Sequence, residues 1–428
     1  MTCPPSWAIT KLGDICEVVS GSTPSTAVPE YWGGEIAWIT PDDLSRHAGK
    51  LIARGARNIT QAGYDSCSTR IVPQGTVLFT SRAPIGYVAI AAQSVCTNQG
   101  FKSFIPSGAV TSDYLYWFLR YATPAIRELG SGTTFPELSK ARAKEIQVPV
   151  APSAEQRRIV AAIEEHFSRL DAAEVLLESA HRRLRVLRRL LFRTAFAGVD
   201  ARVALAEVAE IVSGQTPKGM NPLPDGPVPF FKVGDMNAAS GYEMAGARAY
   251  VDDALIAQYK LKVRPAGTVI FPKRGGAIAT NKKRILLRPA AFDLNTMGLV
   301  PADELLPKYL LYWLETLDLS SLADGSNVPQ INVPDVAPLR IPLPPLDEQR
   351  RIVAEVEQQL SVVDAMAAEI DRALKRSAAL RRSILERAFS GKLVPQDPSD
   401  EPASALLERI AAERGVVAVP SRRHRKSH

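Results

Sequence analysis

The heptapeptide Glu155-Gln156-Arg157-Arg158-Ile159-Val160-Ala161 recurs unchanged at Glu348 to Ala354, 193 positions later. At the same offset, Leu12 to Pro24 matches Leu205 to Pro217 with seven of thirteen positions identical. Ser20-Gly21, Thr23-Pro24, Gly132, Pro136 and Gly198 return as Ser213-Gly214, Thr216-Pro217, Gly325, Pro329 and Gly391. Between these anchors the offset drifts by one to five residues and most side chains differ. One unit is therefore written twice, as a kept frame around a divergent interior. Such a scaffold, carrying two different surfaces, is what reading two different things requires.

Each unit divides into a mixed region and a long helix. Ser153 follows Pro149 and Pro152, and Ser153 with Gln156 has the spacing of a capping box. Neither Pro nor Gly occurs from Ser153 to Ala197, and Gly198 stands where a helix-ending glycine belongs. At 1.5 Å per residue such a helix spans roughly 67 Å. Pro344-Pro345 and Gly391 frame the second copy, where Leu346 replaces the capping serine. Apolar positions at Ile163, Phe167, Leu170, Ala173, Leu177, Ala180, Leu184, Leu187 and Leu191 follow a three-four alternation with one slip after Leu170, the mark of a coiled-coil seam with a stammer. The matching stripe in the second helix runs through Val356, Leu360, Val363, Met366, Ile370, Ala373, Leu380 and Ile384, with Ser377 as its one polar break. Each helix could simply cover its own domain, but helices this long outrun a region whose radius of gyration is about 15 Å. Two matching seams are expected to pack on each other, and the connectivity makes them antiparallel, with the mixed regions at opposite ends about a pseudo-twofold axis.

The expected fold is therefore α+β, with two mixed α/β regions joined by two long helices in an antiparallel coiled coil. The segments are 1–152, 153–198, 199–345, 346–391 and a tail, 392–428. Short β-type runs, Thr76 to Phe79 and Thr268 to Phe271, lie in the mixed regions beside one amphipathic helix each, Tyr114 to Tyr121 and Tyr309 to Leu317. The aromatics Tyr116-Trp117 and Tyr312-Trp313 sit at helical spacing among leucines and read as core.

Composition excludes several classes. The chain has 428 residues, 46% hydrophobic, and no run of eighteen apolar residues or signal-peptide start, so a cytoplasmic protein without a membrane partner is expected. Its four cysteines, Cys3, Cys16, Cys67 and Cys96, have no metal-ligand spacing and read as free thiols. A net charge of +7 permits a nucleic-acid partner without demanding one. There is no phosphate loop, and Asn221-Pro222-Leu223-Pro224 lacks the aromatic that would stack a flipped base. No lysine has Asp or Glu two residues before it, and the five histidines are scattered. Neither catalysis nor a metal or cofactor site of its own is expected of this chain.

Candidate contacts are local. Lys273-Arg274-Gly275-Gly276 follows an expected strand, and its counterpart is Ser81-Arg82. An arginine at such a junction, among small neighbours, can approach a base edge or a phosphate. Lys282-Lys283-Arg284 adds a second basic spot. Thr133-Thr134 and Ser326-Asn327, each after a Gly, offer hydroxyl and amide groups for backbone contacts. The arginine run from Arg182 to Arg193 could touch DNA or a partner protein, or be a solvated face.

Taken together, the chain resembles the specificity subunit of Type I restriction-modification systems over essentially its full length. The resemblance rests on the twofold unit, the Pro-rich entry into the repeated heptapeptide, the helix ends Ala195-Phe196-Ala197-Gly198 and Ala388-Phe389-Ser390-Gly391, Tyr31-Trp32-Gly33-Gly34 with Trp38-Ile39, and the tail Gly391 to Pro398. It departs from that pattern at the missing second capping serine and the basic end Arg422 to Lys426. What the resemblance implies is an adaptor for double-stranded DNA with two target-recognition domains, each reading half of a split asymmetric site. The helices would set the unread spacer and dock two adenine-N6 methyltransferase subunits, with restriction and translocase subunits added for cleavage. S-adenosylmethionine, ATP and magnesium would belong to those partners. A coiled-coil scaffold presenting two protein-binding domains is the alternative.

Overall fold

The computed structural model describes residues 3–82, 84–130, 136–199, 201–239 and 241–417. Gly132, Thr133, Thr134 and the basic end Arg422 to Lys426 lie outside them. By its contacts the chain divides into two units, Met1–Val175 with Leu374–His428, and Leu176–Ala373. Each unit thus holds one mixed region and part of each long helix.

The first unit contains a five-stranded sheet in the order Cys16–Ser20, Phe101–Pro106, Val77–Thr80, Val88–Ala91, Leu51–Ile52. Trp32–Ile39 lies between Arg57–Ile59 and Cys96–Thr97 in a three-stranded sheet, and Ala8–Lys11 pairs with Gln147–Val150. The second unit repeats this topology strand for strand, its larger sheet running Ala209–Ser213, Thr296–Pro301, Val269–Pro272, Arg284–Leu286, Glu243–Met244. Strand periodicity explains the layering. Val77 and Phe79 face a core that includes the amphipathic helix, whereas Leu78 faces a second core shared with Ile39 of the smaller sheet. Val269 and Phe271 divide from Ile270 in the same way. The amphipathic helices run Ser112–Glu128 and Pro307–Leu314, and Tyr116, Trp117, Tyr312 and Trp313 are all buried, as their spacing implies.

The long helices span Ser153–Ala195 and Leu346–Phe389. Gln156 does not complete a capping box with Ser153. Its Oε1 instead accepts from Thr111 N at 3.0 Å, and its Nε2 donates to Ala109 O at 2.8 Å and Ala151 O at 2.9 Å. Gln349 repeats all three bonds, to Leu306 N at 2.9 Å, Glu304 O at 2.8 Å and Pro344 O at 2.9 Å. A buried carboxamide therefore clamps the start of each long helix to the loop entering the amphipathic helix, and the missing serine at Leu346 costs nothing. The other end of each helix contributes a phenylalanine: Phe196 packs edge-on against Tyr309 at 4.9 Å, and Phe389 against Tyr114 at 5.3 Å.

Within each unit the two helices run antiparallel. In the first, Arg381 bridges Asp171 at 2.6 Å and Glu174 at 3.0 Å, and Ser377 donates to Glu174 at 2.6 Å. In the second, Arg188 pairs with Asp364 at 2.8 Å and His181 faces Asp371 at 3.9 Å. The expected stammer is absent. Ala173, Leu187, Met366 and Leu380 are exposed, with Leu187 at 48% and Leu380 at 51%, so neither leucine belongs to the seam. The inward positions are Leu170, Glu174, Leu177, His181, Leu184, Arg188 and Leu191, an unbroken four-three alternation. In the second helix they are Val356, Leu360, Val363, Ala367, Ile370, Leu374, Ser377, Arg381 and Ile384. Of the remaining expected seam residues, Ile163, Phe167, Leu170, Leu177, Leu184, Leu191, Val356, Leu360, Val363, Ile370 and Ile384 face inward, whereas Ala180 and Ala373 are half-buried beside the seam.

The tail belongs to the first unit. Asp400 binds Arg158 at 2.6 Å, Gln396 and Trp7 both donate to Glu155, and Ala403, Leu406 and Ile410 join the core. Glu155 is 1% exposed, and burial raises its pKa.

Two outcomes follow. Gln349→Ala takes the partner from one buried and two part-buried backbone groups and is expected to cost about 2 to 4 kcal/mol in chemical denaturation, against a few tenths for Gln358→Ala at an exposed position of the same helix. Phe389→Ala, which removes a ring from the first-unit core, should cost about 3 to 5 kcal/mol in the same measurement.

Candidate nucleic-acid interface

The repeated Ser-Gly motif shapes one edge of each mixed region. A Cβ on Gly21 would lie 2.1 Å from Thr97 O, and one on Gly214 2.0 Å from Asp293 O, so only glycine lets the two loops cross. Ser213 beside Gly214 accepts from Lys273 Nζ at 3.0 Å, and Thr216 accepts from Leu294 N at 3.1 Å.

In the second region, two segments that are distant in sequence meet at this edge. Ile331 N donates to Lys273 O at 2.8 Å, Gly275 N donates to Pro329 O at 2.7 Å, and Arg274 bridges to Gln330. The Lys273–Arg274 turn and the Ser326–Asn327 loop are thereby neighbours. Asp324 shapes that loop, accepting from Ser326 Oγ at 2.8 Å and Gln330 N at 2.9 Å, and these bonds hold its carboxyl below the usual range. Ser326, Asn327 and Arg274 are exposed. Gly275, at φ +70°, and Gly276 have nothing within 4 Å of where a Cβ would stand, so a ligand can approach the arginine closely. No described residue forms an ion pair with Arg274. Lys273 is half-buried, and burial, with Arg274 beside it, lowers its pKa.

The first region builds the same edge with other side chains. Leu138 N donates to Ser81 O at 2.9 Å, the counterpart of the Ile331 bond. Arg82 remains partly exposed but stands 3.8 Å from Glu137, which also faces Lys102 at 3.4 Å. Glu137 occupies the position of Gln330 in the repeat. Lys102 is buried beneath the edge, donates to Ser81 Oγ at 3.3 Å, and has its pKa lowered by that burial. The sequence offered one signal for Lys102, a lone cation in the apolar run Phe101 to Ile105. Nothing in the spacing announced its pairing with Glu137.

Three candidates are removed by burial. Ser81 and Lys283 are 0% exposed and Arg284 is 8% exposed, so none of them reaches a base or a phosphate. Arg284 opens a strand with partners on both sides, and Lys283 turns inward to donate to Leu317 O at 2.8 Å and Asn281 Oδ1 at 2.9 Å. It thus satisfies a carbonyl just past the amphipathic helix, where a cation is favoured. Nearby Glu315 has its pKa raised by burial against the opposing pull of Lys283, Arg188 and Arg284. Lys282 stays half-exposed.

The long helices of the second unit show a different surface. Leu176, Val186, Leu187, Leu190, Val362 and Met366 are each 48–70% exposed. A trough of about 410 Å³ runs between Leu177, Ala180 and Leu184 on one helix and Met366, Ile370 and Ala373 on the other. Among the described residues no group of His, Cys, Asp and Glu could hold a metal ion, and no helix is long and apolar enough to cross a membrane.

The family described as "Type I restriction modification DNA specificity domain" matches the chain twice, at residues 4–178 and 201–375. The MjaIX specificity subunit of Methanocaldococcus jannaschii is 31% identical over 374 residues, covering 80% of this chain and 84% of that protein. The EcoDI specificity subunit of Escherichia coli is 24% identical over 424 residues, covering 86% and 92%. Among solved structures, a chain from a study of type I R-M assembly and conformational transition aligns with TM-score 0.76 at 22% identity, covering 92% of this chain and all of that one. The HsdS subunit of Thermoanaerobacter tengcongensis aligns with TM-score 0.56 at 23% identity, covering 92% and 98%. The repeated fold and the doubled family match lead to one conclusion: the chain belongs to the Type I restriction-modification DNA specificity family.

Proposed function

We propose that each mixed region of this specificity subunit reads one half of a split DNA site. The observation that carries this is the repeated edge, which keeps its backbone pairing while its side chains change. Leu138 and Ile331 make the same bond, but Arg82 with Glu137 replaces Arg274 with Gln330. Arginine suits guanine, glutamine suits adenine, and a carboxylate accepts from a cytosine amine, so the two edges are fitted to different bases. On this reading the helices hold the two readers apart and set the unread spacer. Their exposed apolar faces receive two adenine-N6 methyltransferase subunits, and restriction and translocase subunits complete the cutting complex. The chain itself is non-catalytic and cytoplasmic, and S-adenosylmethionine, ATP and magnesium sit on the partner subunits. Two linked readers also gain specificity, since each wrong base pair costs about 1 to 3 kcal/mol.

The test is selection of bound sequences from a random DNA library by the chain assembled with its methyltransferase subunits. A split motif with an unread spacer supports the reading, and sequence-independent binding contradicts it. Arg274→Ala should relax one base position by about 1 to 3 kcal/mol, leaving the other half-site unchanged. Lys282→Ala is expected to weaken binding evenly across sequences and to lower the salt slope by about one. Relaxation of both half-sites by Arg274→Ala would contradict the assignment.

A further inference from the structure

The repeated heptapeptide builds a groove in each unit, and described residues fill only one of them. In the first unit the counterpart face is made by Glu155, Arg158, Ile159 and Ile163 of one helix and by Ile384, Arg387 and Ala388 of the other, packed with the tail. The tail lies in it. Leu393 stands beside His166, Ile384 and Arg387, the Gln396 amide donates to Glu155, and the Asp400 carboxylate binds Arg158. The helix Ala403–Val417 then buries Ala403, Leu406 and Ile410.

In the second unit the equivalent residues, each 193 positions away, line a groove of about 280 Å³. Glu348, Arg351, Ile352 and Val356 face Leu191, Thr194 and Ala195. No described segment covers it. Exposure records the difference: Glu155 is 1% exposed, whereas the Glu348 side chain is 40% exposed, and the Arg158 side chain is 37% exposed against 63% for Arg351. Left uncovered, Glu348 and Arg351 pair with each other at 2.7 Å, a solvent-screened contact that a docking group displaces at little cost. The apolar floor of Leu191, Ile352 and Val356 is also kept.

We propose that this open groove is a docking seat for a segment of a partner polypeptide with the chemistry of Leu393 to Asp400. That segment carries an apolar residue, an amide donor three positions on and a carboxylate four further, and leads into a helix with an apolar face. Each feature has its receptor already placed: Leu191 with Thr194, then Glu348, then Arg351.

The probe is a synthetic peptide of residues 392–417, added to the full-length chain, whose own tail fills the first groove. Fluorescence anisotropy should show saturable one-to-one binding, weakened at least tenfold by Arg351→Ala or by Asp400→Asn in the peptide, and unchanged by Arg158→Ala. Arg351 is exposed and Arg158 is half-buried against Asp400, and circular dichroism checks that each variant keeps its fold. Absence of saturable binding overturns the proposal. So does loss of binding with Arg158→Ala in place of Arg351→Ala, which would show exchange into the first groove. Self-association of the full-length chain that disappears when residues 392–428 are deleted would give the seat to a second copy and overturn it as well.

Discussion

The buried carboxamides of Gln156 and Gln349 are the constraint on which each unit depends. Each is at most 1% exposed and joins three backbone groups from two segments. An apolar residue there would strand those groups, and a carboxylate could accept but not donate. The requirement explains why the glutamine of this heptapeptide is kept in two copies that otherwise diverged. It also sets where each long helix leaves its mixed region, which a recognition domain on a spacer has to control.

Around that clamp the copies retain backbone pairing and exchange side chains. The glycine of Ser-Gly survives because the crossing carbonyls leave no room for a Cβ. Along the helices, Arg188 with Asp364 and Arg381 with Asp171 are the same pair written in reverse. Glu174 with Ser377 gives way to Ala367 with Leu184 at the corresponding seam positions. Frame positions are those where geometry admits one residue type, and the edge proposed to read DNA is where it admits many.

Much of this was legible in the sequence. The repeat, the two long helices, their antiparallel run within each unit, and the buried aromatics all follow from spacing and connectivity. The seam was misread because apolarity was its only guide. Glu174, His181 and Arg188 recur every seven residues at inward positions, and their apolar neighbours Ala173 and Leu187 drew the stripe aside. Lys283 and Arg284 misled for the opposite reason. A basic run normally signals a solvated surface, yet here one cation satisfies a backbone carbonyl and the other opens an interior strand. The meeting of Arg274 with the Ser326–Asn327 loop depends on a pairing across some fifty residues that no local pattern encodes. The unequal fates of Glu155 and Glu348 depend on the tail, which returns to one copy of an identical motif.

The central claim is that two independent readers share one frame, and the most direct measurement exchanges one of them. Residues 199–343 would be replaced by the corresponding region of a relative with a different site, and the motif modified by the assembled complex read by single-molecule sequencing. The account predicts that one half-site changes to that of the donor while the other half and the spacer stay as they were. A change in both halves, or in neither, would contradict it.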